Sequence, residues 1–139
     1  MRSLIKDSMR DSMKNDSRLE NESTSAINFD EKFVDLILEG KKKSTIRKGI
    51  KIYKKGEKVE LTAERKSFGK ARITKTVVKR VSELNNSDAI VDGFTSKEEL
   101  LEELKRIYGD IGEDEFVTVI HFEFLNEKED ENAGNVRPQ

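Results

Sequence analysis

Two stretches of this chain leave little choice about its fold. Residues 68–84, FGKARITKTVVKRVSEL, are β-rich throughout. Residues 115–125, EFVTVIHFEFL, alternate, with Phe116, Ile120, Phe122 and Phe124 on one side. Period-two patterning in β-branched and aromatic residues describes strands whose successive side chains point to opposite faces. Shorter strands are predicted at KSTIR (43–47) and at GEKVELT (56–62), with Gly56 in the turn that feeds the second. Gly69 marks a bulge or turn inside the long run. Helical spacing appears in NFDEKFVDLILEG (28–40), where Phe29, Phe33, Leu36 and Ile37 share a face, Asn28 or Asp30 caps the start and Gly40 supplies a left-handed stop. SDAIVDGF (87–94) reads as a helical turn or two closed by Gly93. The clearest helix is TSKEELLEELKRIYGD (95–110). A capping box of Thr95 with Glu98, or Ser96 with Glu99, starts it, and Leu100, Leu101, Leu104, Ile107 and Tyr108 form its apolar face. Several short strands with few helices exclude a doubly wound parallel sheet. They predict an α+β domain, a small mixed or closed β-sheet with helices on its flank.

That domain occupies about residues 27–125 of 139, between two tails. Residues 1–25 mix charge, Ser and Asn, with a low-complexity KDSMRDSMKNDSR run, and bury too little to order themselves, so a disordered N-terminal tail is expected. Residues 126–139, acidic and holding the only proline, are expected to be a disordered C-terminal tail. The tails account for part of an apolar-poor composition, 34% hydrophobic against 40% charged. The N-terminus lacks the apolar core of a secretory signal, and no run of about 18 apolar residues exists to span a bilayer. A soluble, cytoplasmic chain with no membrane partner is expected. The absence of cysteine removes disulfides and thiolate zinc sites, and the single histidine, His121, cannot build a metal site alone. No metal and no cofactor are expected, and His121 is read as structural.

Charge is distributed unevenly. Residues 41–80 carry 16 basic and 3 acidic side chains, residues 81–139 carry 5 and 16, and residues 1–40 carry 6 and 9. Such asymmetry predicts one strongly basic face and a nucleic-acid partner, RNA first among them; the alternative is pairing of basic strands with the acidic helix. The densest part is EGKKKSTIRKG (39–49), five cations around one serine and one threonine where a helix stops. This stretch reads as the mouth of a ligand cleft. In a strand, Lys43, Thr45 and Arg47 point to one side, so that Arg47 can hold a carbonyl or phosphate beside the Thr45 hydroxyl. The nucleic-acid-binding candidates are Lys41, Lys42, Lys43, Arg47, Lys48, Lys51, Tyr53, Lys54, Arg65 and Lys66. Tyr53 and Phe68 are either stacking platforms for bases or ordinary barrel residues.

The order of these parts carries a resemblance. A helix is followed by Gly-x-Lys-x-x-x-x-Arg on Gly40, Lys42 and Arg47, then a KKGEKV turn into a strand, an acidic DGF segment, a helix ending in IYGD and a closing aromatic strand. Over about residues 29–125 the chain resembles the ASCH family (activating signal cointegrator homology), a branch of the PUA-like β-barrel superfamily, and most of all its small single-domain archaeal and bacterial members. The resemblance implies a PUA-like barrel and RNA binding. The family motif is usually Gly-x-Lys-x-x-Glu-x-Arg, and Thr45 stands here at the glutamate. ASCH proteins with that threonine resemble amidohydrolases that deacetylate N4-acetylcytidine. For this chain that implies Lys42 as base, Thr45 as nucleophile and Asp92, where the subset has a glutamate, as the acid. A hydroxyl attacks only if a base removes its proton, and a lysine does so only with a lowered pKa, here through burial and repulsion from Lys41, Lys43 and Arg47. RNA binding is thus the first expectation, hydrolysis of a modified nucleoside the second, and a protein-interaction adaptor using the acidic helix and tail the third.

Overall fold

The computed structural model describes residues 25–126, so the two expected tails lie outside the described residues apart from Ser25 and Asn126. In chain order it contains β1 (Ala26–Phe29), a 3-10 turn (Glu31–Phe33) that runs into α1 (Val34–Leu38), β2 (Ser44–Lys48), β3 (Lys58–Ala63) and β4 (Lys66–Arg80). A second 3-10 turn (Val81–Glu83), α2 (Asn86–Val91), α3 (Lys97–Tyr108) and β5 (Phe116–Leu125) follow. The five strands form one sheet in the order β1-β3-β4-β5-β2. Only the β1–β3 pair is parallel. The sheet curls into a half-barrel flanked by helices, which is the α+β architecture predicted from the strand pattern. Its two edges are β1 and β2, and a hydrogen bond from Arg47 Nη2 to the Asn28 carbonyl, 2.7 Å, joins them.

The long β4 serves two neighbours, and bulges let it bend between them. Phe68 is the extra residue opposite the Leu61–Thr62 step of β3, and Thr74 is the extra residue opposite the Phe122–His121 step of β5. Gly69, expected at a bulge, sits beside the first of these. A Cβ there would lie 2.5 Å from Phe124 Cε1, so the ring of Phe124 occupies the space a side chain would need.

Two sequence expectations are corrected. The first helix does not begin before Asp30, because Phe29 belongs to β1 and pairs with Ala63 of the parallel strand β3. Ile27 and Phe29 alternate into the core, and the Asp30 side chain, not Asn28, accepts the Lys32 N–H at 3.1 Å to start the helical segment. The closing strand has no single apolar face. Ile120 and Phe122 pack with Ile27, Phe29, Val59 and Ile73 on one side, while Val117 and Val119 pack with Leu84, Leu100 and Leu104 on the other. A strand covered on both faces loses its alternation. Phe116 stays 42% exposed and lies under the Arg80 guanidinium, 4.7 Å from its ring centre. The remaining elements fall where the patterning places them, with Ser96 as the cap of α3.

Candidate functional site

A cleft of ≈ 260 Å³ opens at the seam between the two edge strands, walled by β1, β2, the loop after α2 and one side of α3. The turn after α1 builds its floor. Gly40 adopts φ +79°, and the Lys41 and Lys42 N–H groups both donate to the Leu36 carbonyl at 2.8 and 3.0 Å. The reversal carries the Lys42 side chain beneath the end of α2. There Gly93, at φ +99°, leaves room for the lysine stem: a Cβ on Gly93 would come within 3.3 Å of Lys42 Cβ. Lys42 is 3% exposed. Its ammonium meets Asp92 Oδ1 at 3.0 Å and donates to the Asp92 carbonyl at 3.0 Å. Ser44, fully buried, donates its hydroxyl to the same Oδ1 at 3.0 Å. Aromatic faces complete the enclosure, with the ammonium 4.7 Å from the Phe33 ring centre and 5.9 Å from those of Phe29 and Phe94.

Burial governs the charges here. It lowers the Lys42 pKa, against the pull of Asp92, and Arg47 lowers it further. Burial likewise pushes the Asp92 carboxyl up to about 6, opposed by Lys42, by the Ser44 hydroxyl and by Arg47. Each partner therefore favours the charged form of the other against burial, and Asp92 is helped further by Ser44 and Arg47. Two residues along the strand, Arg47 Nε donates to Thr45 Oγ1 at 2.9 Å, so the hydroxyl and the guanidinium do face one cleft. Arg47 lies 5.2 Å from the Phe29 ring centre and its pKa is lowered by burial. Among the described residues no carboxylate lies within ion-pair distance of it. At the mouth, Glu103 pairs with Lys32 at 3.1 Å and with Arg106 at 2.6 Å, tying α3 to the helical segment after β1.

The structure brings Lys42, Thr45, Arg47 and Asp92 together and leaves other predicted residues outside the cleft. Lys43 precedes β2 and lines a separate ≈ 430 Å³ depression with Leu38 and Phe124. The residue that joins Thr45 and Arg47 is Lys42, because the turn at Gly40 re-aims it. Lys41 is exposed and pairs with Glu39 at 3.4 Å. Lys48, Lys51 and Tyr53 line a shallower depression of ≈ 270 Å³ that shares Asn28, Arg47 and Tyr108 with the cleft. Lys54 lies in the β2–β3 connection, where its N–H donates to Glu57. Arg65, at φ +70°, and Lys66 belong to the β3–β4 hairpin, one step beyond the pairing of Ala63 with Phe29. Phe68 packs edge-on against Phe29, 6.2 Å between centres, as a barrel residue. His121 is partly buried on β5, paired with Lys75 of β4 and Ser44 of β2, its pKa lowered first by burial and then by Lys75. Sequence reasoning missed Ser44, Asn28, Phe94 and Glu103. Ser44 alone carried a signal, a hydroxyl next to the lysines of the motif.

Among the described residues no group of three His, Cys, Asp or Glu side chains gathers to hold a metal, and no helix is long and apolar enough to cross a membrane.

Residues 24–126 match the family model of the ASCH domain. Solved structures with a similar fold include an ASCH domain of Lactobacillus crispatus JV V101, 18% identical, with a TM-score of 0.63 over 79% of this chain and 86% of that one. A protein of Enterococcus faecalis V583 is 20% identical, with a TM-score of 0.55 over 71% of this chain and 72% of its own. An ASCH protein of Zymomonas mobilis is 23% identical, with a TM-score of 0.53 over 70% of this chain and 65% of its own. No curated protein matches the sequence.

Proposed function

The chain belongs to the ASCH domain family, and on that premise we propose that it binds RNA through the seam cleft, taking one unpaired base between Lys42, Thr45 and Arg47. The observation that carries this reading is the state of Arg47. Among the described residues its guanidinium donates to neutral acceptors, Thr45 Oγ1 and the Asn28 carbonyl, and no carboxylate forms an ion pair with it, although the Asp92 charge acts on it from a distance. Two of its five N–H donors are used, so it is preset for an anionic or carbonyl-bearing ligand. The cleft is smaller than the range of about 300–1,000 Å³ usual for drug-sized ligands, which suits a single base rather than a folded element. Phe29 and Phe33 supply apolar surface for it. The test is a titration of labelled single-stranded RNA at several salt concentrations. With about three phosphate contacts, affinity should fall roughly 20-fold between about 50 and 200 mM salt. Arg47→Met, which keeps the apolar stem over Phe29, should cost about tenfold or more. Affinity indifferent to salt and to this substitution would sink the reading.

A second reading, hydrolysis of N4-acetylcytidine, is favoured by one observation: Lys42, Thr45 and Asp92 line the same cleft and the lysine pKa is lowered. In the resting arrangement the lysine is turned to Asp92, and the threonine oxygen receives its hydrogen bond from Arg47. Such a donor stabilises an alkoxide, and Lys42 would have to give up its contact with Asp92 to act as the base. Incubation with N4-acetylcytidine, following cytidine by chromatography, tests it. Release by the wild type that is lost in Thr45→Ala supports hydrolysis, and release that survives in that variant removes Thr45 as nucleophile.

A further inference from the structure

The cleft does not end at Arg47. On the far side of that residue lies the ≈ 270 Å³ depression formed by Ala26, Ile27, Lys48, Lys51, Tyr53 and Tyr108, and Asn28, Arg47 and Tyr108 line both hollows. The geometry points to a phosphate subsite in this second hollow, one residue's width from the base pocket. This inference rests on the reading of the cleft as a base pocket and adds the class of ligand: a nucleotide with its phosphate attached, rather than a free nucleoside. The charges support it. Lys51 has no carboxylate partner among the described residues, and its position is fixed from the backbone, where its N–H donates to Thr118 Oγ1 at 2.8 Å. Thr118 in turn donates to the Gly49 carbonyl at 2.7 Å, which anchors the chain between the two lysines. Among the described residues the Lys48 ammonium has only a solvent-exposed pair with Glu115 at 3.3 Å, and the Lys48 N–H donates to the Tyr108 hydroxyl oxygen at 3.2 Å. Arg47 stands between the hollows, held by bonds to Thr45 and Asn28 with three N–H groups to spare. A guanidinium so fixed can span a base carbonyl and the adjoining phosphate oxygen, while Lys48 and Lys51 add charge without demanding geometry. Tyr53 and Tyr108 provide rings on which a neighbouring sugar or base can rest.

The experiment is calorimetric titration with cytidine, with its 5′- and 3′-monophosphates and with the dinucleotide cytidylyl-cytidine, using the full chain. The phosphate should raise affinity over cytidine by about tenfold or more. In the double variant Lys48→Gln, Lys51→Gln the ratio of nucleotide to nucleoside affinity should collapse toward one, whereas Lys97→Gln, Lys105→Gln, a matched removal of two charges on α3, should leave the ratio intact. The two monophosphates and the dinucleotide distinguish a terminal phosphate from the diester of an RNA chain: whichever gains is the source, and a gain by either supports the subsite. Cytidine bound as tightly as every phosphate-bearing probe overturns the subsite and leaves the base pocket standing. A ratio unchanged in the double variant overturns the subsite as well. No binding of any probe, a longer RNA included, overturns both.

Discussion

Lys42→Met should destabilise the protein in a pH-dependent way. In the wild type the buried Asp92 carboxyl titrates at about 6 rather than its ordinary 3.8. The folded state therefore holds the proton more tightly than the unfolded one. As far as Asp92 is concerned, stability is greatest below about 3.8 and declines as pH rises to about 6. The accumulated loss above that point is about 3 kcal/mol. Lys42 limits this loss, since its charge and hydrogen bond both lower the Asp92 value. Methionine keeps the stem between Phe33 and Gly93 and deletes the cation. The carboxyl then titrates higher still, and the window of falling stability extends above pH 6. Removing one partner of a buried pair costs about 3–5 kcal/mol, and this is the loss expected at pH 8. At pH 5 the carboxyl is protonated in both proteins, and most of the loss should disappear. Adding Asp92→Asn, which keeps an acceptor for Ser44, should recover much of the deficit at pH 8. Urea unfolding at pH 5 and pH 8 measures all of this, with an unchanged slope confirming the same unfolding transition. A loss equal at both pH values, or below about 1 kcal/mol at pH 8, would refute the reasoning and put the pair in water.

Gly93→Ala should lower stability by about 1–3 kcal/mol, because φ +99° excludes alanine and its Cβ would press on Lys42; an unchanged urea midpoint would contradict the packing at the cleft floor. The β3–β4 hairpin turns on Glu64 and Arg65 at φ +51° and +70°, a two-residue turn that favours Asn-Gly. Replacing the pair with Asn-Gly should therefore raise stability by about 1 kcal/mol or more, and a lower midpoint would show that the hairpin gains something from those side chains. Thr45→Ala removes one hydrogen bond that holds the Arg47 guanidinium but leaves its charge and its bond to Asn28 in place, so RNA affinity should fall by less than about tenfold. A loss as large as that of Arg47→Met would give the hydroxyl a direct role in binding.

Much of this was legible because it is local. Helix stops at Gly40 and Gly93 follow from a conformation that glycine adopts at no steric cost, and the caps at Asp30 and Ser96 need only a side chain and a backbone within one turn. Thr45 and Arg47 share a face because strands have period two. What escaped depended on partners far along the chain. Phe29 looks like the first residue of a helix until the parallel strand β3 claims it. Lys42 and Asp92 are 50 residues apart; the family resemblance places both in one site, but nothing in either segment says that they form a buried ion pair or that Ser44 completes it. The sequence also strings basic residues along the whole of 41–80, densest at 41–48, whereas folding separates Lys41 and Lys43 from the cleft and gathers Lys48 and Lys51 beside it. Alternation failed in β5 for a related reason, since helices and strands cover it on both sides.

The central claim is that the seam between the edge strands is where RNA meets this protein. The most direct measurement is an amide-resolved magnetic resonance titration with a short single-stranded RNA. The account predicts the largest shifts at Asn28, Lys42, Thr45 to Lys48 and Asp92 to Phe94, with smaller ones at Lys51 and Tyr53. Shifts confined to the acidic outer side of α3, or to the β3–β4 hairpin with the seam unmoved, would contradict it.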